Sequence, residues 1–296
     1  MKNGETFFTE KRTMRMPAYT LWENMLFWPT ALDEGKLAAA VAGKTILITG
    51  ASSGIGEQLA YVLGRCQVHL LLVARREEKL RQIKAEIERD GARVSVFGAD
   101  LRDPAQLEAF LAFLHEQSGG IDIVVSNAGL SIRRPIMDSL ERYHDFTRTM
   151  AINYFAPVKI LLSLTEQLAR NKGQIVNVST INTSLLPLPY WAAYQASKAA
   201  FDTWFRSAAP EWSAKGIATT SIYLPLVRTP MILPTTAYRS MPAMSAEHAA
   251  RLIAKSLYTK RTTIRPWWLL GGELASLFGR GLWERLLPRW LRKRGE

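Results

Sequence analysis

The sequence predicts an α/β fold, a doubly wound parallel sheet of six or seven strands with helices on both faces. Three observations predict it. From Lys44 onward, apolar runs of strand length alternate with longer segments of helical period, the pattern of strands joined by crossover helices. The runs Thr45-Ile46-Leu47-Ile48 and Ile123-Val124-Val125 are apolar throughout, as strands covered on both faces must be. A glycine-rich turn, Thr49-Gly50-Ala51-Ser52-Ser53-Gly54-Ile55-Gly56, follows the first run and opens the first helical segment.

In order, strands are predicted near 44–49, 68–74, 93–98, 121–126, 173–179 and 217–224, with a short seventh near Thr262 to Arg265. Helices are predicted near 55–65, 77–90, 104–117, 140–170, 194–214 and 246–257. No internal repeat or low-complexity linker divides the chain. Residues 43–258 therefore read as one catalytic domain, with 1–42 and 259–296 as terminal extensions.

With 296 residues, 48% of them hydrophobic, the chain can bury the core of one large domain. The single cysteine, Cys66, cannot form an internal disulfide and reads as core; with four scattered histidines it makes no recognisable metal set. Met1 to Pro17 lack the apolar run of an export signal, and no stretch is apolar enough for a spanning helix, so a cytoplasmic protein is expected. The net charge of +12 favours anionic partners. Without zinc-finger spacing or an RNA-binding aromatic motif, nucleic acid is not expected among them.

In the glycine turn, Gly50, Gly54 and Gly56 permit a tight bend and a close approach of backbone N–H groups. With Ser52, Ser53 and Ile55 they place the positive end of a helix dipole where a dinucleotide diphosphate would lie, so the fold is Rossmann-type. The second strand ends Leu72-Val73-Ala74-Arg75-Arg76, with alanine where a carboxylate would hold the ribose 2'-hydroxyl of NADH. Arg75 and Arg76 offer planar cations to a 2'-phosphate instead, which predicts NADPH/NADP+. Asp100 and Leu101, past the third strand, are expected at the adenine, with Asn127-Ala128-Gly129 closing the fourth strand at the cofactor edge.

Tyr194 and Lys198 stand four residues apart at the start of a predicted helix, hence on one face. An adjacent ammonium would stabilise the phenolate and make the tyrosine a usable general acid near neutral pH.

The glycine turn, Asn-Ala-Gly, Asn153 and Tyr194-Gln195-Ala196-Ser197-Lys198, in this order, resemble the short-chain dehydrogenase/reductase family over about residues 43–258. The resemblance implies that Tyr194 protonates the substrate oxygen, that Lys198 binds the nicotinamide ribose and lowers the tyrosine pKa, and that Asn153 holds a water of the proton relay. It also implies a hydroxyl after the fifth strand that orients the substrate carbonyl. Thr180 is placed there, with Ser179 and Ser184 as competitors. Val227 and Thr229 correspond to the residues that contact the carboxamide, although this chain lacks the Pro-Gly that precedes them in many relatives.

The segments Ser126 to Pro135, His144 to Met150 and Pro225 to Met231 look more narrowly like the bacterial long-chain fatty acyl-CoA reductases. That likeness implies a hydrophobic carbonyl substrate, acyl-CoA reduced to aldehyde or a ketone or aldehyde reduced to alcohol, with Arg133 and Arg134 either at the coenzyme A phosphates or in structural ion pairs. Ile232 to Ala243, with Pro234, Tyr238 and Pro242, suits a substrate lid. An NADP(H)-binding scaffold without turnover is the alternative, and the family implies a homodimer or homotetramer. Finally, Trp283, Leu286, Leu287, Trp290 and Leu291 interleave with Arg285, Arg289, Arg292, Lys293 and Arg294, an amphipathic basic pattern that Pro288 should divide into two short helices or kink. Peripheral contact with the inner membrane surface through this extension is one expectation; packing of the helix, with Trp22, Phe27 and Trp28, against the body is the other.

Overall fold

The computed structural model describes residues 19–293 apart from 234 and 239. The expectations for Met1 to Pro17, Pro234 and Arg294 lie outside the described residues.

Two short helices, α1 (Leu21–Leu26) and α2 (Glu34–Val41), precede the first strand. The core then alternates: β1 (Thr45–Thr49), α3 (Gly54–Leu63), β2 (His69–Ala74), α4 (Glu77–Ile87), β3 (Arg93–Gly98), α5 (Pro104–His115) and β4 (Ile123–Ser126). Next come α6 (Tyr143–Met150), α7 (Ala156–Arg170), β5 (Gln174–Thr180), α8 (Ala192–Ala214) and β6 (Ala218–Leu224). The small strands β7 (Val227–Arg228) and β8 (Met244–Ser245) pair with each other before α9 (Ala246–Thr259), β9 (Thr263–Ile264) and α10 (Leu269–Lys293).

All seven strands of the main sheet are parallel, in the order β3-β2-β1-β4-β5-β6-β9. The order reverses between β1 and β4, where an open α/β sheet leaves its ligand crevice. Ile46 and Ile48 of β1 enter the core shared with α2, α3, α4 and α9, whereas Leu47 enters the core shared with α5, α7 and α8. Both faces are thus covered, which explains why β1 is apolar at successive positions; each such side chain contributes about 1.5–3 kcal/mol by leaving water. Cys66 is half-buried at the edge of the first core.

Two predicted elements differ, and two helices were not predicted. The single helix expected over 140–170 is divided by a π-turn at Ala151–Phe155, one extra residue that rotates α7 relative to α6 and turns Asn153 into the interior. Of the two short helices or kink expected at Pro288, the division is not seen, since α10 continues through it. Unforeseen α1 and α2 tie the N-terminal segment to the body. Tyr19 Oη and Thr30 Oγ1 hydrogen-bond the two ring nitrogens of buried His248, at 3.1 and 2.9 Å. Burial alone would raise the pKa of Glu23, but the N–H groups of Thr20 and Ala243 and the guanidinium of Arg228 outweigh it and hold the carboxyl below its ordinary range.

Candidate active site

The crevice at the sheet's switch point is a cavity of about 690 Å³, lined along one side by the loops that follow β1, β2, β3 and β4. Gly50 and Gly54 have φ of +71° and +59°, a region that costs a side-chain-bearing residue about 1–2 kcal/mol. At Gly56 the constraint is distance, because a Cβ there would lie 2.5 Å from the Gly50 carbonyl oxygen. Thr49, which sequence reasoning did not single out, organises the turn. Its hydroxyl accepts the N–H groups of Asn127 and Ala128, both at 3.0 Å, while Asn127 Nδ2 donates to the Thr49 carbonyl at 2.9 Å. The signal was present as a polar residue closing an otherwise apolar strand. Ser53, the N-cap of α3, makes no side-chain cap bond, so the first-turn N–H groups face the cavity without it. An uncapped helix N-terminus beside a glycine cradle fits a diphosphate.

Arg75, Arg76, Asp100, Leu101, Ala128 and Gly129 line the same cavity. Arg76 donates to Ser52, to its carbonyl at 3.2 Å and its hydroxyl at 3.1 Å, while Arg75 is exposed. Asp100 is clasped by Arg102, with Nη2 2.6 Å from Oδ2 and Nε 2.9 Å from Oδ1; those hydrogen bonds hold its carboxyl below the usual range. The carboxylate expected at an adenine is thus already committed to a third arginine, one the sequence reading passed over, and Leu101 is buried. Val227 and Thr229 close this end of the cavity, and the methyl of Thr229 would lie 2.9 Å from a Cβ at Gly54.

Tyr194 and Lys198, on the first turns of α8, reach the middle of the cavity. Burial pushes the tyrosine pKa up to about 12, against a hydrogen bond with the Thr180 hydroxyl that pulls it down. Thr180 is thereby the hydroxyl brought to Tyr194. Ser179 turns the other way and donates to buried Asp202 at 3.2 Å, and Ser184 merely ends the turn after β5. Burial pushes Lys198 down to about 8, with Asp202 opposing; its Nζ donates to the Val178 carbonyl at 3.2 Å. On the phenol, desolvation outweighs the Thr180 hydrogen bond. Asn153 likewise is committed. It accepts from Leu130 N–H and donates to the Leu130 carbonyl and the Ser197 hydroxyl, each at 2.9 Å, so both its side-chain donors brace the wall.

The far side of the cavity is apolar, built from Ile181, Leu188, Trp191, Met231, Tyr238 and Met241 and, unforeseen, from Leu26, Phe27 and Trp268 of the terminal segments. Trp268 donates to the Leu26 carbonyl at 3.2 Å, so the segments before β1 and after β9 form one wall. Among the described residues no cluster of His, Cys, Asp or Glu could hold a metal ion.

A proton-donating phenol, a hydroxyl partner and a neighbouring lysine beside a dinucleotide cradle are the equipment of a carbonyl oxidoreductase. A family profile described as short chain dehydrogenase matches residues 44–239. The chain belongs to the short-chain dehydrogenase family. It is an oxidoreductase of that family, and its relatives include a fatty acyl-CoA reductase of Acinetobacter baylyi, 44% identical over 73% of this chain and 74% of that protein. A fatty acyl-CoA reductase of Mycobacterium tuberculosis is 40% identical over 76% of this chain and 77% of that one. Among solved structures, a short-chain dehydrogenase from Sphingobium yanoikuyae in complex with NADPH superposes with a TM-score of 0.70 at 25% identity, covering 81% of this chain and 95% of that one. A metagenomic short-chain oxidoreductase in complex with NADP gives 0.65 at 26% identity, covering 77% and 99%.

Proposed function

We propose that this short-chain dehydrogenase reduces the carbonyl of a hydrophobic, lipid-like substrate with NADPH, and that a fatty acyl-CoA converted to its aldehyde is that substrate. The observation that carries the reading is the continuity of one cavity, from the glycine turn past Tyr194 and Thr180 to an apolar wall that includes Leu26, Phe27 and Trp268. Arg75 and Arg76, at the end of β2, both line the cavity with no carboxylate in the place of Ala74, which supports NADPH over NADH. When bound, the cofactor supplies the hydride.

The residues divide the remaining work. Thr180 and Tyr194 direct hydroxyls at one point of the cavity, where they orient and polarise a substrate carbonyl. Tyr194 keeps its proton throughout the neutral range and so acts as acid. Lys198, as ammonium, steadies the charge that develops when that proton leaves. In thioester reduction the carbonyl carbon gains a hydride and loses the thiolate, which departs with a proton; no cysteine nucleophile is required. Asn153 is a positioning residue that fixes Leu130 and Ser197 around the pair.

Of the two arginines after β4, Arg134 is committed to buried Asp145 at 2.8 Å. Arg133 lies 4.5 Å over the Tyr190 ring and 5.2 Å over the ring of Trp191, a lining residue of the cavity, and is the arginine proposed to meet a coenzyme A phosphate. The relatives in A. baylyi and M. tuberculosis support the same substrate class. The test is NADPH oxidation with long-chain acyl-CoA, fatty aldehyde and bulky ketone in parallel. Acyl-CoA should give aldehyde and free thiol in step with NADPH loss. Turnover of ketones alone, with no thiol released from acyl-CoA, would overturn the thioester assignment.

A further inference from the structure

We infer that the outer side of α10, with the exposed side of the N-terminal segment, is a docking surface for an anionic lipid bilayer. The inference goes beyond the proposed reduction and does not depend on it.

One side of α10 faces the body: Leu269 is buried, Ser276 Oγ accepts Leu186 N–H at 3.3 Å, and Trp283 Nε1 donates to the Pro187 carbonyl at 3.3 Å. The other carries Leu270, Leu274, Leu277, Phe278 and Leu282, between 50% and 83% exposed, which at 3.6 residues per turn fall on one stripe. Continued along the helix, that stripe changes character: Arg285, Arg289, Arg292 and Lys293 occupy it, all exposed. The acids of α10 do not neutralise them, since Glu273 pairs with Arg265 and Glu284 with Arg280. The apolar half extends onto the N-terminal segment, where exposed Trp28 stacks on exposed Trp267 at 5.9 Å, one helical turn before Leu270.

Large apolar side chains left in water in such numbers mark an interaction surface. The four cations decide what covers it. A second copy laid antiparallel would press the basic end of one α10 against the apolar half of the other and bury cations without carboxylates. Laid parallel, it would set cation against cation. An anionic bilayer satisfies both halves, its acyl region taking Leu274, Leu277 and Phe278 while its headgroups meet the basic end. No helix among the described residues is long and apolar enough to cross a membrane, so the contact is peripheral. The same segments wall the cavity: Leu26, Phe27 and Trp268 line it, while their chain neighbours Met25, Trp28 and Trp267 face outward. A bilayer on this surface therefore lies behind the apolar end of the substrate cavity.

Full-length protein should pellet with vesicles of phosphatidylcholine and phosphatidylglycerol, and at least about tenfold less with phosphatidylcholine alone. The exposed double variants Leu277→Asp/Phe278→Asp and Arg285→Glu/Arg289→Glu should each lose pelleting to a similar degree, with elution on gel filtration unchanged. Equal pelleting of wild type and both variants, or no pelleting of wild type, would overturn the inference. So would dissociation of an oligomer by either variant in the absence of lipid, which would assign the surface to a second copy. Binding is read without substrate, so its failure leaves the reductase reading standing, and inactivity on acyl-CoA leaves the docking surface standing.

Discussion

Lys198 is held between two demands. Taken from water at the cavity wall, its ammonium is disfavoured to a pKa of about 8, yet the role proposed for it needs the charge. The ammonium is present below that value and lost above it, so kcat/KM for NADPH, which reports the free enzyme, should fall as pH rises through about 8. A flat profile to pH 10 would remove Lys198 from cofactor binding. Tyr194 differs in sign: raised to about 12, it remains a proton donor at every pH in that experiment. The spacing of these two residues was legible because four positions along a helix make one face. Which hydroxyl would join them was not. Ser179 and Thr180 are adjacent in a strand, so their side chains point oppositely, and only the register of β5 decides that Thr180 meets the cavity and Ser179 meets Asp202.

At the scale of elements, the glycine turn shows how little slack the β1–α3 connection has. Gly56→Ala would drive a methyl onto the Gly50 carbonyl and to within 2.8 Å of Asn127 Nδ2, both fixed by the sheet. Overpacking of this kind costs about 1–3 kcal/mol, and here the shift falls on the cradle itself. The variant should remain folded by circular dichroism and bind NADPH at least about tenfold more weakly by fluorescence titration; wild-type affinity would show that the turn does not hold the diphosphate. The strands and the crossover helices could be read from apolar periodicity because burial on two faces imposes it. The π-turn at Ala151–Phe155 could not, since one extra residue in a turn leaves the surrounding helical period nearly intact, and it alone explains how Asn153 comes to face Leu130. Helix α10 misled in the opposite direction: Pro288 argued for a break, but a single missing N–H near an exposed helix end leaves the helix continuous.

Across the whole molecule, the terminal segments are the part least legible in the sequence and most informative in three dimensions. Sequence pattern treated 1–42 and 259–296 as additions to a finished domain. In the structure the expected short strand near Thr262, β9, completes the sheet, while α2 packs in the first core and Leu26, Phe27 and Trp268 wall the cavity, neither of which the sequence pattern indicated. The contacts of Trp267 with Met25 and of Trp268 with Leu26 join residues 242 positions apart, a separation that no local period records. They also give the cavity its apolar end, where the proposed lipid-like substrate would rest. The central claim is that Tyr194 delivers the proton in an NADPH-dependent reduction. The most direct measurement is single-turnover reduction of a long-chain acyl-CoA by wild type and Tyr194→Phe, with NADPH affinity determined for both. Loss of roughly a hundredfold or more in rate at unchanged NADPH affinity is the predicted result; a variant that turns over its substrate at the wild-type rate would contradict the account.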